Sequence, residues 1–204
     1  MSKHRRWPAT DRPNYINILI YGAPDCGVTR LIENIMSHCN DVRIHKEFNS
    51  GTMACQVPFQ LDGCLFHLRI CDLSRTTRLA NESNDVMVLK YEIDVVIYCY
   101  SIDDNDSLTH LINVLNERDN VDDLPSVLVG NKLDLRNRWE IVQRSNEGRA
   151  SFVSHQKAAN FAEEFALSWL VECSAETGQS VREVLEAAVY SFCGKKGKRK
   201  MLEP

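Results

Sequence analysis

The chain has 204 residues, 44% of them hydrophobic and 25% charged, with a formal net charge of −4. That length fits one ordinary domain with tails, and the balance is that of a soluble globular protein. The acidic balance gives the domain no electrostatic footing for nucleic acid, and no apolar run is long enough to span a membrane.

Met-Ser-Lys-His-Arg-Arg-Trp-Pro at the start has none of the make-up of a signal peptide. There are eight cysteines, but no Cys-x-x-Cys pair and no zinc-ligand spacing. Cys71, Cys99 and Cys173 sit in or beside apolar strand runs, so free, buried thiols in a reducing compartment are expected. The cytoplasm is the expected location.

In chain order, residues 1–13 carry Lys3, Arg5, Arg6 and Arg12 with two prolines and read as a basic, mobile tail. Tyr15–Tyr21 is a β-branched strand that ends at Gly22. Gly22-Ala23-Pro24-Asp25-Cys26-Gly27-Val28-Thr29 follows: Gly, four residues, Gly, and then an apolar-periodic helix to Ser37. This is the strand–loop–helix pattern of a P-loop, except that Val28 stands where the lysine belongs. A glycine-bounded loop at a helix N-terminus turns backbone N–H groups inward and favours anions. Thr29 keeps a hydroxyl suited to Mg²⁺. Val28 cannot bridge outer phosphates, and one missing charge-assisted bond of about 1.5–3 kcal/mol weakens binding about ten- to a hundredfold. Pro24 removes a further N–H.

Residues 40–51 are polar and read as a loop. Thr52–Leu61 and Leu65–Cys71 flank Asp62-Gly63, a hairpin signal. Residues 75–90 have no clean period and read as a second long loop with some helix. Asp94–Tyr100 is a continuous β-branched and aromatic run, as in a buried parallel strand. A helix opens at Ser107 with Leu108, Leu111, Ile112 and Leu115 in phase, and Ser126–Val129 is another buried strand. His155–Ala166 and Val181–Phe192 are amphipathic helices on either side of a last strand, Leu170–Cys173. Strands alternating with helices predict a doubly wound, mostly parallel sheet of six strands with helices on both faces.

Ligands in such folds bind beyond the carboxyl ends of the strands. Gly130-Asn131-Lys132-Leu133-Asp134 follows one strand, and Ser174-Ala175 follows the last. With these motifs in this order, the chain resembles a small GTPase of the Ras superfamily over about residues 14–192. Leu-Val-Gly-Asn-Lys-Leu-Asp-Leu-Arg, Val-Glu-Cys-Ser-Ala and the long connection at 137–154, in the place of an extra helix, resemble the Rho type. The resemblance implies an α/β P-loop G domain over 14–193, with a basic tail over 194–204. It implies GTP or GDP with Mg²⁺ as ligands, and protein effectors and regulators as partners of a monomer. It further implies that Asp134 accepts from the guanine N–H groups, Asn131 and Lys132 hold the base loop and cover the ring, and the Ala175 N–H, in the Ser174-Ala175 turn, reads the guanine carbonyl. Thr29, Asp72 and either Ser50 or Thr52 would serve the metal.

The departures fall on the phosphate side. Strand three runs into Asp72-Leu73-Ser74-Arg75-Thr76, where the family has Asp-x-x-Gly and then Gln. Arg75 replaces the glycine that senses the γ-phosphate. Thr76, at the catalytic position, is too short to orient the attacking water, so no residue is assigned to catalysis. Arg30 and Arg75 are both candidates to replace the lysine charge, against solvated roles for both. No prenylation box closes the chain. Lys195, Lys196, Lys198, Arg199 and Lys200 form a basic cluster able to touch anionic lipid reversibly, and Cys193 is open to palmitoylation. The expectation is a Rho-like guanine-nucleotide-binding signalling protein with impaired hydrolysis. The alternatives are a scaffold that binds no nucleotide and a GTPase completed by a partner in trans.

Overall fold

A computed structural model describes residues 14–39, 43–45, 54–72, 93–116, 124–143 and 152–194. Its strands are β1 (Asn14–Gly22), β2 (Arg43–His45), β3 (Ala54–Leu61), β4 (Cys64–Asp72), β5 (Val95–Ser101), β6 (Ser126–Asn131) and β7 (Trp169–Glu172). Its helices are α1 (Val28–Ser37), α2 (Asn105–Asn116), α3 (Leu133–Gln143), α4 (His155–Glu164) and α5 (Val181–Phe192). One sheet runs β2-β3-β4-β1-β5-β6-β7. It is parallel from β4 to β7, while β3 is antiparallel to both its neighbours.

All six predicted strands are present, and the α/β P-loop architecture is the one expected. The seventh strand, β2, lies in the stretch read as a loop. Three residues carry no period of their own, and pairing with Ala54–Gln56 makes them a strand. Asp62 (φ 50°) and Gly63 (φ 77°) both take positive φ, as a two-residue type I′ turn requires. Among the described residues β2 pairs with 54–56, and Pro58 lies beyond that pairing in β3.

The central strands are covered on both faces, which explains their unbroken apolar runs. Ile16, Ile18 and Ile20 of β1 and Ile97 of β5 pack towards α1 and α5, joining Leu31, Ile32, Val184 and Ala188. Their alternates Leu19, Val96, Tyr98 and Tyr100 pack towards α2 and α4 with Leu108, Leu111 and Phe161. Each such buried side chain contributes about 1.5–3 kcal/mol relative to exposure. The alternation within single strands therefore sets the register that brings Gly22, Asp72, Asn131 and Cys173 to one end of the sheet.

No helix among the described residues is long and apolar enough to cross a membrane. All eight cysteines are free thiols, and Cys71, Cys99 and Cys173 are buried as expected. The two tails lie outside the described residues, apart from Gly194. Helix α3 begins at Leu133, ahead of the 137–154 connection, and residues 144–151 of that connection are outside the described residues.

Candidate functional site

The loop after β1 is closed upon itself. The Ala23 N–H donates to the Cys99 carbonyl at 3.1 Å, and the Cys26 N–H donates back to the Ala23 carbonyl at 3.2 Å. Asp25 (φ 57°) and Gly27 (φ 86°) turn the chain through left-handed backbone into α1. Gly27 is required twice over, because a methyl group there would also lie 2.7 Å from the Asn131 Nδ2.

Pro24 and Asp25 face solvent, while three side chains of the loop point inward. Ala23, Cys26 and Val28 are 1%, 1% and 3% exposed and belong to the core cluster under the sheet. Val28 lies against Gly22 so closely that a methyl group on Gly22 would come within 2.3 Å of the valine Cγ2 and 2.7 Å of the Cys26 Sγ. Where the motif of a phosphate cradle needs a lysine, this chain has an apolar plug. Val28 leaves this side without the cation that such a cradle uses for the outer phosphates.

Behind the loop, the Thr29 hydroxyl donates to the Asp72 carboxylate at 3.4 Å, and Asp72 is fully buried at the end of β4. This pair keeps the hydroxyl and carboxylate that a Mg²⁺ site would draw on. Among the described residues, no cluster of three or more His, Cys, Asp or Glu side chains forms a metal site by itself. Ser50, Thr52, Arg75 and Thr76 lie outside the described residues. Arg30 pairs with Glu176 at 3.2 Å and with Glu33 at 3.6 Å, so its charge is directed to the Ala175 turn and to its own helix.

The residues expected to read the base form one hydrogen-bonded unit. Asn131, 1% exposed at the end of β6, donates from Nδ2 to the Cys26 carbonyl at 2.9 Å. Its Oδ1 accepts the Ala175 N–H at 2.9 Å. One side chain thus ties together the loop after β1, the end of β6 and the turn after β7. Lys132 takes φ +67° and reaches Asp103 at 3.4 Å. Asp134, in the first turn of α3 and 8% exposed, accepts the Ser174 hydroxyl at 2.7 Å. Its other oxygen is held by the guanidinium of Arg138, one turn along α3. Burial pushes the Asp134 carboxyl up, but the Ser174 hydroxyl and the Arg138 guanidinium together outweigh it and hold it below its ordinary value.

Two arginines here escaped the sequence reading. Arg138 is one, and its signal was the i, i+4 spacing from Asp134, which matters only once α3 is known to start at Leu133. Arg136 is the other: its guanidinium forks onto Glu172 at 2.9 and 2.6 Å, and His155 Nδ1 stands 3.2 Å from the same carboxylate. This pair pins α3 and α4 to β7 beside the base loop. A separate groove of about 440 Å³, with Ile35, Phe59 and Leu185 but also His38, Gln60 and Arg182 among its walls, lies between α1, β3 and α5.

Fold and strand-end motifs together define an α/β protein of the P-loop small-GTPase architecture. Residues 22–193 match the model of the Ras family, and the chain belongs to that family. It is 41% identical over 113 residues to the GTP-binding protein Rho1 of Kluyveromyces lactis, covering 52% of this chain and 53% of that one. It is 38% identical over 110 residues to the GTP-binding protein RHO1 of Eremothecium gossypii, with 52% and 53% covered. Against the GTP-binding protein RHO1 of Saccharomyces cerevisiae the identity is 37% over 108 residues, half of each chain. Its likeness within the family is thus to the Rho type, and the chain spans about half the length of the curated relatives it matches.

Proposed function

We propose that this Rho-like chain holds guanine nucleotide chiefly through its base side, with GTP hydrolysis impaired or absent, and signals by binding protein effectors and regulators. The observation that carries this reading is the Asn131-centred unit, with Asp134 seated on Ser174 at 2.7 Å. The similar proteins named as GTP-binding support it. Thr29 and Asp72 would hold Mg²⁺, which supplies neutralising charge to phosphate oxygens. Because the residues that distinguish a γ-phosphate are the altered ones, GDP and GTP bind nearly alike, which makes the chain a poor switch. Residues 14–193 are the G domain. It works as a cytoplasmic monomer, touching anionic membrane reversibly through its basic C-terminal cluster.

A second reading is favoured by one observation, the Val28 plug against Gly22. On that reading the chain is a fixed interaction scaffold that binds no nucleotide. Thermal unfolding with Mg²⁺ and separate titrations of GDP, GTP and ATP decides between them, since a ligand specific to the native state stabilises it by RT ln(1 + [L]/Kd). Guanine-specific shifts that Asp134→Ala abolishes support the first reading. No shift at millimolar nucleotide leaves the scaffold.

A further inference from the structure

We propose that Arg138 controls access of guanine to the base site, its guanidinium standing on the Asp134 carboxylate in the position of the guanine N–H donors. This rests on the guanine-binding reading above. Asp134 has two oxygens. One is committed to Ser174 at 2.7 Å, and the other to Arg138 Nη2. Arg138 Nε also reaches the Asp134 carbonyl at 3.4 Å, so the guanidinium is held at two points.

The chemistry of the mimicry is direct. The edge of guanine that a carboxylate reads is an N–C–N unit carrying parallel N–H donors, which is a guanidine built into a ring. Arginine carries the same planar fork, and one arm of it, Nη2, lies on the Asp134 carboxylate here. Both cannot occupy the outer edge of Asp134 together. The neighbouring groups are closed in the same way: the Ala175 N–H is bonded to Asn131 at 2.9 Å, and Lys132 is paired with Asp103 at 3.4 Å. The Arg138 side chain is 66% exposed, whereas that of Asp134 is 9% exposed. The arginine can therefore leave into water while the carboxylate stays, as a displaceable occupant must.

Displacing an exposed i, i+4 pair is easy, and the buried carboxylate places this one at the upper end of that class. Guanine binding is expected to be about three- to fivefold weaker than the same site would show without the arginine. Adenine lacks the donor fork and is unaffected.

The test uses the full chain, the full-length Arg138→Gln and Arg138→Ala variants, Mg²⁺, and GDP or ADP titrated by calorimetry and thermal unfolding. Both variants are expected to fold, because the side chain is largely in water. The expected result is GDP binding about three- to fivefold tighter in both variants with ADP unchanged. The Asp134 carboxyl, followed by NMR, should also titrate at higher pH than in the unaltered chain. Variants that bind GDP no tighter than a GDP-binding parent overturn the proposal and leave the guanine-binding reading intact. If no chain binds GDP at millimolar concentration, both fall.

Discussion

Restoring the lysine at position 28 pits two effects of opposite sign against each other. In Val28→Lys the valine, 3% exposed and seated on Gly22, is withdrawn from the core. Full burial of a valine contributes about 1.5 kcal/mol at the low end, and the low end applies because a lysine stem keeps some apolar cover. At about 2–4 °C per kcal/mol for a chain of this size, the nucleotide-free variant should melt about 3–6 °C lower. With GDP and Mg²⁺ the sign reverses. The new ammonium restores a charge-assisted bond to phosphate of about 1.5–3 kcal/mol, so GDP should bind about ten- to a hundredfold tighter. Differential scanning fluorimetry across a GDP titration reads both arms. An unchanged melting point without nucleotide would refute the plug. Destabilisation without tighter GDP binding would refute the inference that the plug is what closes the phosphate side.

Asn131→Ala leaves the buried Cys26 carbonyl and Ala175 N–H without their 2.9 Å partners, so urea unfolding should show a loss of about 2–4 kcal/mol at unchanged m. Arg136→Ala takes the forked partner from Glu172, whose side chain is 10% exposed, leaving His155 at 3.2 Å, and should cost about 3 kcal/mol in the same assay, at the lower end for buried pairs. Among the thiols, burial pushes Cys55 and Cys173 up to about 12, and it also raises Cys71. A thiol with a raised value stays protonated, and the thiolate is the nucleophile. Maleimide labelling of the native chain at pH 8, followed by mass spectrometry, should therefore modify exposed Cys64 and Cys193 first. Rapid labelling of Cys55 or Cys173 would contradict the packing described.

The local signals in the chain were legible wherever a single residue type answers to one physical need. Asp62-Gly63 announced its hairpin because a type I′ turn needs two positive φ values. The β-branched runs at 95–100 and 126–129 announced buried parallel strands, since only a strand covered on both faces has no polar alternate. Asn131, Lys132, Asp134 and the Ser174-Ala175 turn were legible as a group because strand ends are where such a sheet gathers its ligand-facing residues. Helix α5 was read to the residue from its apolar stripe. By contrast, β2 is strand only through its partner, and a three-residue segment has no pattern to read.

What the sequence by itself determined is chemical identity at each strand end: a valine for a lysine, a proline for an N–H donor, a carboxylate and an amide kept at the base loop. What only the tertiary structure decided is where those groups point. Val28 turns into the core because Gly22 leaves a methyl-sized space beneath it. Arg30 goes to Glu176, 146 positions away along the chain. Arg138 reaches Asp134 because α3 begins one residue before that aspartate, making a spacing of four into a contact. Sequence lists donors and acceptors, but which of them meet depends on the backbone path between, and that is settled by packing the whole sheet.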